Sequence, residues 1–241
     1  MNGCHRALLA IVLTAWVLPA QAAVIDLFER AFKVDNVFTA PTDPLPSGIS
    51  SAGFDFGTGL GTFRVSVAGS GAHYVAGFFD LEIVEINNSF FNESGAANGT
   101  PAAGQTWEID EPGFGIPDGA GGVQYTGDIF GNVQAGALDN RVFFDAINNQ
   151  SFSDPDDVAM ALAYAFTLAA GEQALIDFII SDMLPVAVPD FYLSQTDSDS
   201  DVTAYLYSTL TISAIPTPEP GTLLLISLAL VGVGCARRRA A

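Results

Sequence analysis

The feature that most constrains the fold is a two-residue periodicity of side chains between Val158 and Ile180. In its first half, large apolar residues stand at every second position with alanine or threonine between them: Val158, Met160, Leu162, Tyr164, Phe166 and Leu168. After the turn residues Ala169-Ala170-Gly171-Glu172, the alternation resumes with Ala174, Ile176, Phe178 and Ile180. Successive side chains of a β-strand point to opposite faces, so this pattern predicts two strands joined as a β-hairpin.

The same segment also carries signals for a helix. Asp154-Pro155 resembles a helix N-cap followed by proline at the first helical position, and Gly171 stands where a helix could end. Alanine is itself a good helix former. A helix would repeat every 3.6 residues, however, whereas the eleven residues from Val158 to Leu168 alternate with a period of two. The strand interpretation is therefore favoured.

Short apolar runs separated by turn residues recur along the rest of the chain. They predict further strands at Thr62–Ala68, Phe79–Ile83, Thr106–Ile109, Arg141–Ile147 and Val202–Ile212. Asn92–Gln105 is rich in glycine, alanine and asparagine and is predicted to be a loop, whereas Phe114–Gly136 is very rich in glycine, with Ile129-Phe130 as a minor apolar point. Frequent short strands without long helices between them predict an all-β fold, a single antiparallel β-sandwich of immunoglobulin-like or jelly-roll type.

Two segments leave the secondary structure open. Ile25–Val37 fits either a pair of strands or a short helix, because acidic residues interrupt its apolar pattern. A helix over Glu82–Phe91 competes with the strand before it, since its apolar residues are spaced as on one helical face. Gly57–Gly61 has the glycines of a phosphate-binding loop but no Gly-Lys-Ser/Thr, so it is predicted to be a turn.

Residues 1–22 are predicted to be a secretory signal peptide. Arg6 supplies positive charge, Ala7–Leu18 is largely apolar, and Ala20-Gln21-Ala22 forms an A-x-A site with cleavage after Ala22. A retained N-terminal anchor is the alternative. The segment 23–215 is then the exported body, and the export signal predicts that it works outside the cytoplasm.

The C-terminal segment 216–241 combines a proline-rich breaker, an apolar run and a basic end. Leu223–Ala236 is apolar apart from Ser227, and Arg237, Arg238 and Arg239 follow it. Fourteen helical residues span about 21 Å, against a hydrocarbon core of about 30 Å, so the run makes a short transmembrane helix. Because arginines stay on the cytoplasmic side, the body is expected outside, with the membrane contact made by this segment alone and held transiently.

This three-part order resembles the PEP-CTERM sorting domain of Gram-negative bacteria. The resemblance implies that Pro218, Glu219 and Pro220 are recognised by exosortase, a membrane-bound processing enzyme, and that the three arginines act as the topological stop. It implies passage through the inner membrane, then a location at the cell surface or outside the cell, in bacteria that make exopolysaccharide. Thr217 departs from the valine of many members.

Three segments of the body are also similar to uncharacterised secreted domains of other PEP-CTERM proteins: Gly71–Tyr74, Thr106–Gly113 and Asp154–Val158. This second resemblance implies no activity, because none is known for those domains.

The charge balance excludes some partners. The chain has 27 acidic and 8 basic residues, a formal net charge of −19. Such a surface repels nucleic acid and anionic lipid headgroups, so neither is an expected partner of the body. Both cysteines, Cys4 and Cys235, lie in the terminal signal segments, which leaves the body without disulfides, thiol nucleophiles or thiolate metal sites.

Few residues of the body have the pattern of a catalytic site. Its one histidine, His73, would have to serve any Ser-His-Asp triad, and no Gly-x-Ser-x-Gly sequence accompanies it. Glu108, Asp110 and Glu111 could form the paired carboxylates of a glycosidase, although clustering is expected in so acidic a chain. We therefore predict no catalytic residue and no enzymatic activity.

Asp197, Asp199 and Asp201 are candidates for calcium binding, because hard cations prefer several closely spaced carboxylates. Val202 and Ser208 stand where an EF-hand needs glycine and glutamate, so that motif is excluded. A site of another type could include an acidic residue of the segment Asp154–Asp157. A solvated turn between two strands is the competing interpretation.

The sequence predicts an exported, non-enzymatic surface or matrix protein that needs no cofactor and has a structural or adhesive role beside exopolysaccharide. The alternatives are a calcium-dependent binding module and a secreted polysaccharide hydrolase.

Overall fold

The computed structural model describes residues 24–84, 92–113, 115–117, 123–125, 127–142, 144–145, 150–151, 157–184, 187, 189–198, 200–216 and 226. The predicted signal peptide, with Ala20 and Ala22, lies outside them, as do the Pro-Glu-Pro and arginine residues of the tail. Within this described part of the chain, no helix is long and apolar enough to cross a membrane.

The described residues form strands and one short helix. In chain order the elements are β1 (Val24–Val34), β2 (Val37–Thr39), β3 (Ile49–Asp55), β4 (Leu60–Ala68), β5 (Gly71–Val84), β6 (Glu93–Gly99), β7 (Gln105–Asp110), β8 (Gly115–Pro117), β9 (Val123–Tyr125), α1 (Ile129–Ala135), β10 (Phe144–Asp145), β11 (Gln150–Ser151), β12 (Ala159–Leu168), β13 (Glu172–Ser181), β14 (Phe191–Asp197) and β15 (Thr203–Ala214).

Most strands belong to two antiparallel sheets. The first has the order β2-β1-β5-β12-β7, and the second has the order β3-β4-β13-β15-β14-β6. Two short ribbons, β8-β9 and β10-β11, complete the pairing. The predicted all-β sandwich architecture is confirmed, whereas its assignment to the immunoglobulin-like or jelly-roll type stays a prediction.

A phenylalanine-rich core joins the two sheets. Phe32 and Phe79 of the first sheet contact Phe63 and Phe178 of the second, with ring centroids 5.4 to 6.2 Å apart. All four side chains are fully buried. Tilted aromatic pairs at this spacing contribute about 0.5–1.5 kcal/mol each beyond the apolar area they bury.

The outer face of the first sheet is also covered. Ile129 and Val133 of α1 pack there against three alanines of β12: Ala159, Ala161 and Ala163. Small side chains let the helix approach the sheet closely. The alternation of β12 therefore reflects two buried surfaces, because its large residues fill the core between the sheets and its small residues lie under α1.

The predicted hairpin is wrong in its pairing. β12 and β13 form where the alternation predicted, and Gly171 adopts a φ of 82° in the turn between them. However, β12 pairs with β5 and β7 in the first sheet, whereas β13 pairs with β4 and β15 in the second. The chain therefore crosses from the first sheet to the second between β12 and β13. Both strands direct large side chains into the same core, from opposite sides.

The loop predicted for Asn92–Gln105 is also wrong, because β6 forms within it and pairs with β14. The residues of β6 have poor strand propensity, but the space available to this strand accommodates only small side chains. A Cβ added at Gly95 would collide with the side chain of Ile109 on β7. Glycine at position 95 thus permits close packing against β7, in a segment whose composition predicted a loop.

The glycine-rich segment Phe114–Gly136, for which the sequence predicted no helix, contains α1. Seven residues including Gly131 have little intrinsic helicity, so burial of Ile129 and Val133 provides the stabilisation. Gly136, at φ 79°, ends the helix in the left-handed conformation.

The other predicted strands form, although Arg141–Ile147 gives only the two-residue β10 among its described residues. Ile25–Val37 forms strands rather than a helix. In Gly57–Gly61, the first three residues belong to the turn between β3 and β4, and the last two begin β4. Glu82–Val84 belongs to β5, and the remainder of the competing helix lies outside the described residues.

Candidate functional site

Two groups of acidic side chains lie on the outer face of the first sheet. The β5 group consists of Asp80, Glu82 and Asp157, and the β7 group consists of Glu108, Asp110 and Asp128. Within each group, one carboxylate oxygen per residue lies within 4.8 Å of the others. Asp80 and Asp110 are both in register with Ala159, so β12 separates the groups and places them at the same level of the sheet.

The β7 group is held by hydrogen-bond donors around α1. Glu108 accepts a 2.9 Å bond from Asn132 Nδ2 and a 3.1 Å bond from the Asp139 amide. Asp110 accepts a 2.8 Å bond from the Glu111 amide and a 3.2 Å bond from the Asp128 amide. These bonds attach both ends of the helix segment to β7.

Burial nevertheless makes the β7 carboxylates costly to ionise. Glu108 is 1% exposed and Asp110 is 2% exposed, and burial is the main reason that the pKa of each is raised. The hydrogen bonds lower both pKa values in part, whereas the negative charge of Asp128 raises them further.

The β5 group has different surroundings. Asp80 is 2% exposed, and its Oδ1 has no hydrogen-bond partner in the described part of the chain. Burial and then the negative charges of Asp157, Glu82 and Glu29 raise the pKa of Asp80 to about 8. The charged groups that act most strongly on Asp80 are therefore all carboxylates.

Two side chains of the second sheet reach into the first sheet beside the β5 group. The amide of Val158 donates a 3.1 Å bond to Glu93 Oε2, and Gln195 Nε2 donates to both the Leu81 carbonyl and Glu93. The backbone register between β5 and β12 ends at Asp80 and Ala159. Beyond that pair, the side chains of Glu93 and Gln195 from the facing sheet bond the backbone of Val158 and Leu81. Burial raises the pKa of Glu93 to about 8.

An open pocket of about 540 Å³ borders the β7 group. It is lined by Glu29, Pro112, Gly113, Gly127, Asp128, Phe130, Gly131 and Asn132. Asp128 belongs to the β7 group, and Glu29 acts on Asp80 of the β5 group. Carboxylates can bind cations or accept hydrogen bonds from hydroxyl groups, so the pocket suits ligands of either kind.

The structure brings together Glu108 and Asp110, which the sequence singled out, and adds Asp128 rather than Glu111. Asp197 is buried and accepts bonds of 2.7 and 2.8 Å from the amide and hydroxyl of Ser200, whereas Asp201 is exposed. Asp199 lies outside the described residues. Neither Asp197 nor Asp201 joins a three-carboxylate group of the described residues, and calcium binding by this loop stays a prediction.

His73 is engaged through both ring nitrogens. Nδ1 lies 3.0 Å from Asp35 Oδ2 and Nε2 lies 3.1 Å from the Gly69 carbonyl, while the ring stacks on Phe166. The hydrogen bond to Asp35 is the main reason that the pKa of His73 is raised. These contacts hold the β1–β2 turn against the start of β5.

Sequence reasoning missed the β5 group. Asp80 and Glu82 stand two residues apart on a predicted strand, which places them on one face, but the alternation of that strand does not show that the face is covered. The alanines of β12 carried a usable signal, because small residues throughout one face indicate a covering layer. The pairing of β5 with β12, which places the two carboxylates beside those alanines, was not predictable from the sequence.

The comparisons with known proteins identify the C-terminal segment. The model of the PEP-CTERM protein-sorting motif matches residues 216–239, which include Pro218, Glu219 and Pro220 as well as Arg237, Arg238 and Arg239. No curated protein and no solved structure matches the chain significantly. The motif indicates an exported protein that is sorted through the membrane by an exosortase-type enzyme. The chain is a protein that contains a PEP-CTERM sorting domain.

Proposed function

We propose that the protein is presented at the cell surface or in the extracellular matrix, where its body has a structural or adhesive role in an exopolysaccharide context. The sorting motif at residues 216–239 carries this proposal, because it directs export and processing. The acidic composition supports it, since a strongly charged surface keeps an extracellular domain soluble.

Replacing Pro218, Glu219 and Pro220 with alanines tests the sorting step. We expect a longer precursor that stays in the membrane fraction, because the processing enzyme no longer recognises the tail. Thr217→Val is the matched control and should be processed as the wild type is. Unchanged size and location of the triple variant would remove the sorting signal from these residues.

The pocket gives the adhesive role a specific test. Gly131 lines the pocket, and a Cβ added there would have no atom within 4 Å. Gly131→Trp therefore fills the pocket without a clash at Cβ. We expect it to reduce co-sedimentation of the protein with purified exopolysaccharide, whereas Gly131→Ala should bind as the wild type does. Equal binding by all three proteins would exclude this pocket as the contact.

We further propose that the body acts without catalysis. Glu108 and Asp110, the best acid pair in the sequence, are buried and hydrogen-bonded around α1. Their bonds support a role in attaching the helix. Release of reducing sugar from matrix polysaccharide is the measurement, and we expect none above background. Release by the wild type that Glu108→Gln abolishes would instead establish a hydrolase.

A further inference from the structure

The β5 group joins segments that are distant along the chain. Asp80 and Glu82 project from β5, Asp157 precedes β12, and Glu93 lies close by at the start of β6. Asp80, Asp157 and Glu93 are 2%, 3% and 5% exposed. Burial of several carboxylates at one place requires a compensating positive charge, protons or hydrogen-bond donors.

The described donors do not satisfy this requirement at Asp80. Its Oδ1 is buried without a hydrogen-bond partner among the described residues, and its carboxylate lies within 4.8 Å of those of Glu82 and Asp157. A second buried oxygen nearby, Oε1 of Gln195, also has no partner there. Gln195 instead uses its Nε2 to bind Glu93 and the β5 backbone. Asp80 thus presents a buried oxygen acceptor that no donor of the described residues satisfies.

We propose that Asp80, Glu82 and Asp157 bind a calcium ion, with Glu93 as a neighbouring carboxylate. The ligand atoms are all carboxylate oxygens, which hard divalent cations prefer. Calcium accepts six to eight oxygens in irregular arrangements, and carboxylates from separate chain segments fit that tolerance better than the strict octahedron of magnesium. The bound ion links β5 to the start of β12 beyond the last residue pair of their ladder.

The site makes stability of the exported body dependent on calcium. Without the ion, the carboxylates repel each other or must take up protons, and both cost folding free energy near neutral pH. Extracellular calcium modules commonly have dissociation constants of about 10⁻⁴–10⁻³ M. An affinity in this range would leave the site empty at low calcium and filled outside the cell.

Thermal unfolding of the full-length protein in mild detergent tests the proposal. The protein is first treated with a chelator, dialysed, and then measured with chelator or with calcium at about 10 mM, well above the expected dissociation constant. Because an ion that binds the folded state raises the midpoint, we expect an increase of about 5–10 °C with calcium. Magnesium at the same concentration should give a smaller shift.

Asp80→Asn removes one ligand charge without changing the size of the side chain. We expect this variant to melt above the wild type in chelator, because one repelling charge is gone, and to lose most of the calcium shift. Glu82→Gln is a second variant that should also lose most of the shift. Asp182→Asn is the matched control, since Asp182 is exposed and the substitution changes the net charge equally.

The outcomes are distinguishable. Loss of the calcium shift in Asp80→Asn or Glu82→Gln, with the shift retained in Asp182→Asn, supports the site. An equal shift in all the variants would mean that calcium only screens the acidic surface, and the proposal would be wrong. Absence of any shift in the wild type would also overturn it.

Discussion

The β5 and β7 groups have the same chemical composition but different surroundings. Both consist of three carboxylates on one face of one sheet, and the same residue, Ala159, separates them. Donors around α1 satisfy Glu108 and Asp110, whereas Asp80 is surrounded chiefly by other carboxylates. The comparison teaches that neighbouring donors, rather than the number of acidic residues, separate a structural cluster from a candidate cation site.

The physical difference lies in how the buried charge is compensated. Hydrogen bonds to a carboxylate favour its ionised form, so the β7 group gains its compensation when the helix packs on the sheet. In the β5 group, Asp80 Oδ1 is buried without a hydrogen-bond partner among the described residues. The two groups should therefore respond differently to mutation and calcium.

The largest expected effect comes from removing the contact between β7 and α1. Glu108→Ala leaves Asn132 Nδ2 and the Asp139 amide without their acceptor, which should cost about 1–3 kcal/mol. Urea unfolding measures the loss. It should be the same with calcium and with chelator, because Glu108 does not belong to the β5 group. A loss that calcium rescues would mean that the two groups form one site.

A cost in the same range is expected at the alanines between the groups. Ala161 is fully buried under α1, so Ala161→Leu should overpack this layer and cost about 1–3 kcal/mol in urea unfolding. Ala165 lies on the same face of β12 but is exposed, and Ala165→Leu should change stability by less than about 0.5 kcal/mol. Equal costs at both positions would contradict the covering role of α1.

Measuring thermal unfolding in chelator over a range of pH should show how ionisation of the β7 group affects stability. The folded-state pKa of Glu108 is raised above its ordinary value of 4.5, so this group stabilises fully below that value and loses its contribution as pH rises through the folded pKa. We expect the wild-type midpoint to fall by several degrees between about pH 5 and pH 8. Glu108→Gln should reduce that fall, and an unchanged slope would assign the pH dependence to other residues.

The smallest effect is expected at an exposed ion pair on the opposite sheet. Arg64 makes bonds of 2.7 and 2.8 Å to Asp177, but more than half of its side chain is exposed to solvent. Solvent screens such a pair, so Arg64→Met should leave the unfolding midpoint nearly unchanged with or without calcium. A loss as large as that of Glu108→Ala would show that surface charge, rather than burial, dominates the stability.

Much of the fold could be predicted from local pattern. Side chains at Phe63, Val65 and Val67 alternate with polar residues, and β4 buries that face as expected. Pairing partners could not be predicted in the same way, since period two fixes the face of a strand and leaves its neighbours open. β6 and α1 escaped prediction because Gly95 and Gly131 lower local propensity, and tertiary contacts outweigh it.

The candidate site likewise has residues that the sequence singled out and residues that only the fold brings together. Glu108 and Asp110 were noticed because they are close in sequence. Asp80 and Asp157 are far apart in sequence, and only the pairing of β5 with β12 brings them together. Their burial depends further on the facing sheet, which supplies Glu93 and Gln195.

The sequence by itself determined that this protein is exported and sorted through the membrane, because the sorting signal is a continuous segment whose order of residues is the signal. It also determined the strand faces, through a periodicity that each strand carries alone. Only the tertiary structure decided which strands are neighbours, that α1 covers the alanine face, and which carboxylates share a site. Those properties depend on contacts between distant residues, and no local pattern encodes them.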